Sequence, residues 1–230
     1  MVAVLTTAVE AISVRGVDNL FIPYAAFVVL DRTVRLGLRD LSGWIEGMLI
    51  GLVIVLVTAR RAGLTPAGAV TVFLVGTVAW ALGGATWLLP ILAVYALAVF
   101  ATARLKLQLD LDEVFPTAVG SVTILLAFGH LDRSDLYVPF LAAIAANGAI
   151  ALARVAEVRG EHRLVWGLAG ALAPLTAAAI ATPDIPMVVA GGAATVGVAA
   201  FAALARTRLV GRRMAAGLAA GVVAWAATVA

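Results

Sequence analysis

The chain has no cysteine and only two histidines, and charged residues make up 13% of its 230 positions, where a soluble domain carries roughly 25%. Without cysteine there is no disulfide framework, no thiolate metal site and no cysteine nucleophile. His130 and His162 lie far apart and neither stands in an HExxH-like spacing, so zinc chemistry is not expected. No GxxxxGK[ST], Ser-His-Asp or paired-carboxylate motif is present either. What the chain has instead is apolar bulk: 63% hydrophobic residues and a mean hydropathy of +1.09. A fold surrounded by water could not cover that much apolar surface.

The formal net charge is +3. Its basic residues stand in short clusters between apolar runs rather than along one polar face, so they read as topology signals and no nucleic-acid partner is expected. The opening MVAVLTTAVEAISVRG lacks a basic start and carries Glu10 inside its apolar stretch, which argues against a cleaved signal peptide.

A membrane span needs about 20 mostly apolar residues, with roughly 17 to 25 tolerated. That criterion predicts eight spans, near 41–59, 64–83, 87–103, 114–130, 137–153, 164–182, 186–205 and 214–230. Two shorter apolar stretches, 1–12 and 19–30, the second containing Pro23, precede them as one broken or re-entrant element or one short span. The runs are continuous and rich in Ala, Leu and Gly, whereas barrel strands alternate over about ten residues. The expected fold is therefore all-α: a polytopic transmembrane helical bundle of about eight or nine spans. Residues 1–40 form the irregular element with a basic loop, and 41–230 the eight-span domain. Glycines inside the spans, such as Gly167, Gly170, Gly217 and Gly221, let helices approach closely.

From residue 60 onward the loops after every second span are basic: Arg60 and Arg61, then Arg104 and Lys106, then Arg154, Arg159 and Arg163, then Arg206, Arg208, Arg212 and Arg213. The intervening loops from residue 84 on hold only Arg133. Positive-inside reasoning places the basic set in the cytoplasm and makes the chain a multi-pass protein, expected in a prokaryotic cytoplasmic membrane. Strict alternation leaves DRTVRLGLRD, residues 31–40, on the far side despite Arg32, Arg35 and Arg39. A hairpin turning at Gly83-Gly84 and ending in ATARLK resembles one turning near Pro183-Asp184 and ending in ALARTRL, an internal symmetry of the kind found in transporters.

Ionisable and amide groups at membrane depth are costly, so each is a candidate for function. Glu10, Arg15, Asp18 and Asn19 cluster in VEAISVRGVDNLFIP. Such carboxylates beside a basic residue either hold a magnesium-bound nucleotide phosphate or cap a helix end among headgroups. Glu46 lies one turn inside 41–59 and either snorkels or lines a polar cavity. Asn147 sits near the middle of 137–153, with Arg154 seven residues on along a similar face; an interhelical hydrogen bond is its ordinary role. The cytoplasmic arginines attract anionic headgroups and, where they converge, would form a phosphate-binding floor.

Two stretches carry a family resemblance. Residues 6–30, with Glu10, Gly16, Asp18, Asn19, Leu20 and Pro23, resemble the C-terminal end of the CTP-dependent polyprenol kinases, the group of dolichol and phytol kinase. Residues 60–84 and onward to 129 are similar to the membrane family of the plant phytyl-phosphate kinase, through Arg61, Leu64, Thr65, Gly68, Ala69, Val75, Gly76 and Thr77. That second family carries an Ala-Asp-Thr-Trp-Ala-Ser-Glu motif where this chain reads AANGAIALARVAE, with Ile150 at the Asp position, and its Asn has Thr117 nearby instead. No catalytic residue transfers from there. The resemblance implies a prenol or prenyl-phosphate kinase, or a subunit of one, using Mg²⁺ with CTP on an isoprenoid alcohol or phosphate in the membrane, as a homo-oligomer or with a partner kinase subunit. It implies Asp18 and Glu10 as catalytic and metal-holding residues. Asn19, Arg15, Arg60, Arg61, Asn147 and Arg154 are the expected binding residues. The competing reading is a transporter or flippase with a polar path through Glu46 and Asn147.

Overall fold

The computed structural model describes residues 31, 34, 38–102, 111–131, 134–182, 219–224 and 226. Among these, the regular elements are all helical: α1 (Leu38–Thr58), α2 (Pro66–Thr102), α3 (Leu111–Leu131), a 3₁₀ turn (Ser134–Leu136), α4 (Tyr137–Arg159) and α5 (Arg163–Ala181). Residues 219–224 are helical as well. Four stretches are long and apolar enough to cross a membrane: 41–58, 66–102, 134–159 and 163–181. The segments 1–12, 19–30 and 186–205, with the hairpin near Pro183-Asp184, lie outside the described residues.

Each boundary has a local cause. After α1 the chain turns through Gly63, whose φ of 67° suits a residue without Cβ. Thr65 then accepts the Gly68 N–H at 3.2 Å and Pro66 opens α2, the preferred pairing of a hydroxyl cap with proline at the first helical position. At 37 residues an unbroken α2 would reach about 55 Å, far beyond the roughly 30 Å hydrocarbon core. It is not unbroken. Gly84 has φ 65° and ψ −157°, a region open essentially to glycine alone, and the chain doubles back there into limbs 66–83 (α2a) and 85–102 (α2b). The Thr102 hydroxyl at the end of α2b shares its hydrogen between the Ala98 carbonyl one turn back, at 2.7 Å, and the Arg61 carbonyl just before α2a, at 3.3 Å. The expected hairpin at Gly83-Gly84 is thus present.

α4 ends at Gly160 (φ 69°, ψ 21°), where the Gly160 and Glu161 N–H groups close onto Glu157 and Ala156 carbonyls at 3.3 and 2.9 Å. This is six residues beyond the expected limit of 153, because the helix runs on past the apolar stretch through Arg154, Glu157 and Arg159 until a glycine allows the left-handed turn. α5 follows after His162.

The helices surround α4. Of its most apolar window 89% is buried, against 11% for α1. Its sequence, AAIAANGAIALA, is small enough for neighbours on every side: α2, α3, α5 and the 219–224 helix, whose Gly221 faces Pro139 and Ala143. The closest approach is Gly148 against Gly170 of α5, where a Cβ on either residue would overlap the other's carbonyl. Trp87 anchors the Gly84 end, stacked on Phe128 at 4.2 Å between ring centres and set against Tyr137 and Phe140 at 5.1 and 4.7 Å. The Tyr137 hydroxyl donates to the Thr86 carbonyl at 3.0 Å. α1, by contrast, turns Leu49, Ile50, Val53, Leu56 and Val57 outward, an apolar face suited to hydrocarbon rather than water.

The Gly84 turn is testable. Gly84→Ala should lower stability by about 1–3 kcal/mol, read as a fall in the unfolding midpoint of the detergent-solubilised protein. Gly43→Ala, in α1 where an added Cβ meets nothing within 4 Å, should leave the midpoint unchanged or raise it. Equal behaviour of the two variants would contradict the glycine-only turn.

Candidate functional site

The hairpins bring their basic ends together. Thr102 ties the end of α2b to the Arg61 loop, and the Arg159 guanidinium donates through Nη1 to the Ala101 carbonyl at 3.1 Å. The 59–65 loop, the end of α2b and the α4–α5 turn therefore share one end of the bundle. Gly84, Thr86, the 3₁₀ turn and Tyr137 share the other. α1 lies antiparallel to α2a, with Gly47 beneath the Trp80 indole, so its start at Leu38 lies at the end opposite Arg60 and Arg61.

The α4–α5 arginines are engaged. Arg159 holds Glu161 through Nε at 2.8 Å while its guanidinium lies 5.3 Å from the centre of the Trp166 ring. The Trp166 indole N–H donates to the second Glu161 oxygen. Arg154 and Arg163 each stand 3.8 Å from Glu157. These groups are partly exposed, so each pair contributes at most about 1 kcal/mol. Their larger effect is on charge: two glutamates offset much of the positive field expected of this turn. Arg60 and Arg61 differ. Both are exposed, and their side chains have no ion-pair partner among the described residues. Of the described basic groups at this end, theirs is the charge left to meet an anion.

Asn147 is buried in α4 at 7% exposure, and its amide nitrogen donates to the Ser121 hydroxyl of α3 at 3.3 Å. Its Oδ1 has no partner among the described residues. This is the interhelical contact expected of an intramembrane asparagine. Glu46, on exposed α1, does not share that interior. Asn147 and Arg154, though seven residues apart, have different surroundings, one enclosed and one half-exposed beside Glu157. Glu10, Arg15, Asp18 and Asn19 lie outside the described residues, as do Arg104, Lys106 and the four arginines of 206–213. Among the described residues no group of three or more His, Asp or Glu is gathered for a metal ion.

Midway along the bundle, one feature has little sequence signal. Between α1, α2a and α2b lies a lateral apolar groove of 160 Å³, lined among others by Gly51, Ile54, Gly76, Trp80, Leu88 and Tyr95. The Tyr95 hydroxyl is hydrogen-bonded to that of Thr58 at 2.7 Å. Gly47 and Gly51, four apart in α1, are the pattern from which a close approach or a groove could be read.

No family model matches the chain, and no curated protein or solved structure matches it.

Arg159 is the residue on which the basic end turns. Arg159→Ala removes a charged hydrogen bond, an ion pair and a stacked cation together, and should cost about 1–3 kcal/mol. Arg159→Lys keeps the charge without the planar fork and should recover only part of this loss. Chemical-denaturant unfolding in detergent measures both; full recovery by lysine would show that charge alone matters.

Proposed function

We propose that this chain is a multi-pass protein of about eight or nine spans in a prokaryotic cytoplasmic membrane, working on isoprenoid lipid at its cytoplasmic face as a prenol or prenyl-phosphate kinase or as a subunit of one. The observation that supports this reading is the meeting of the 59–65 loop and the α4–α5 turn at one end, with Arg60 and Arg61 exposed and unpaired there among the described residues. Phosphoryl transfer asks a protein chiefly to position two partners and to stabilise spread-out negative charge. Arginines at the lipid–water boundary meet both needs, since they can orient an anionic donor beside an alcohol whose hydrocarbon tail stays in the bilayer. Asp18 and Glu10 are the proposed proton acceptor and metal-holding carboxylates, with Arg15 and Asn19 beside them, by the family resemblance of residues 6–30. A bound Mg²⁺ would supply neutralisation of the donor phosphates.

The transporter reading finds less support. Among the residues whose side-chain burial is described, no Asp, Glu, Lys, Arg or His is buried, and the buried polar groups are Thr71, Thr77, Thr102, Ser121 and Asn147. Ion-coupled paths across a bilayer are built from ionisable groups facing the bundle interior.

CTP with Mg²⁺ should raise the melting temperature of the detergent-solubilised protein, and Asp18→Ala should abolish the rise. Arg60→Ala with Arg61→Ala should weaken it several-fold in CTP concentration. Absence of any CTP-dependent shift in the unsubstituted protein would remove the kinase reading.

A further inference from the structure

We propose that the lateral groove between α1 and the two limbs of α2 holds one acyl chain of an anionic phospholipid, with Arg60 and Arg61 at its phosphate. This does not rest on the kinase reading.

The groove is apolar along its length. Its floor is made where side chains are missing, at Gly51 and Gly76: an added Cβ at Gly51 would meet nothing within 4 Å, whereas the space over Gly47 is taken by the Trp80 indole. It borders the outward face of α1, where Ile50, Val53 and Val57 are exposed, so the bilayer reaches it directly. From Gly47 to Val55 the helix rises about 12 Å, less than half of the roughly 30 Å hydrocarbon core. A groove of that length takes a chain from one leaflet only. Being open on its lipid side, it lets a two-chain lipid seat one chain and leave the other in the bilayer.

The charge at the basic end selects the leaflet and the headgroup. The Tyr95–Thr58 hydroxyl pair lies near that end of the groove, and the Arg60–Arg61 pair follows directly after the end of α1. The neighbouring arginines of the α4–α5 turn face Glu157 and Glu161, whereas Arg60 and Arg61 have no acidic partner among the described residues. Two such cations at the surface of a bilayer favour an anionic over a zwitterionic headgroup by about tenfold or more.

The test uses the delipidated full chain in detergent and native mass spectrometry, with dioleoyl phosphatidylglycerol, dioleoyl phosphatidylcholine and farnesyl phosphate as probes. One phosphatidylglycerol per chain should be retained, about tenfold more tightly than phosphatidylcholine. Gly51→Leu, filling the groove, should weaken it at least tenfold, and Gly51→Ala by less. Gly43→Leu, on the same helix outside the groove, should bind as the unsubstituted chain does. Arg60→Ala with Arg61→Ala should erase the preference between the two phospholipids. Thermal unfolding of each variant separates a filled groove from a damaged fold: weakened binding by a Gly51→Leu protein of unchanged midpoint supports the proposal. Undiminished binding by Gly51→Leu overturns it, as does equal loss in Gly43→Leu or a preference for farnesyl phosphate over phosphatidylglycerol at equal concentration.

Discussion

Helices in hydrocarbon are not driven together by their apolar surfaces, because lipid tails serve those surfaces equally well; association depends on how closely the backbones can come. The crossing of Gly148 and Gly170 meets that constraint, and the arrangement follows from it. With α5 seated this near, α4 can be enclosed by α2, α3, α5 and the 219–224 helix, helped by the run of alanine and glycine through its middle, Ala142 to Ala149. The large side chains are displaced towards the Gly84 end, where Trp87, Phe128, Tyr137 and Phe140 interlock.

The two ends of the bundle are held by different chemistry. The Gly84 end relies on aromatic packing and the Tyr137–Thr86 hydrogen bond. The basic end relies on side chains reaching backbone carbonyls, Thr102 across its own hairpin to Arg61 and Arg159 from α4 to Ala101. The Ala101 carbonyl, at a helix end, has lost its intrahelical partner, so the Arg159 guanidinium fastens α4 to the α2 hairpin and satisfies the backbone in the same contact. The outcome is a division of labour among arginines of one end: Arg159 is structural, Arg154 and Arg163 stand beside Glu157, and Arg60 and Arg61 remain outward.

Much of this was legible from residue order. The segment 41–59 is a helix at Leu38–Thr58, the pair 64–83 and 87–103 is the hairpin about Gly84, and 164–182 is Arg163–Ala181. Apolar counting measures where hydrocarbon ends, however, and helices end where carbonyls can be closed. For that reason α4 reaches Arg159 rather than 153. The central place of α4 had no hydropathy signal: its mean hydropathy of 1.8 matches that of α5 and nearly that of α1 at 2.0. Residue size carried the information instead. The arginines were readable as one group by position, but their division depends on Glu157 and Glu161, and the tight turn at Gly160 is what brings Arg163 round to Glu157. The groove was legible only in part, through Gly47 and Gly51 four apart in α1, because it depends on how α1 meets the two limbs of α2.

The enclosure of α4 also bears on how the chain is assembled. Synthesis delivers α1, α2 and α3 before it, and α5 and the 219–224 helix after it. When α4 first enters the bilayer, only part of its wall exists. Lipid must cover the sides later taken by α5 and the 219–224 helix, including the strip of Gly148. That exposure is tolerable because α4 from Val138 to Ala153 is apolar apart from Asn147, whose amide finds Ser121 on the earlier α3. Maturation of this bundle is therefore an exchange in which late helices displace lipid from an existing central post, and the bare glycine strips are the tracks along which they dock.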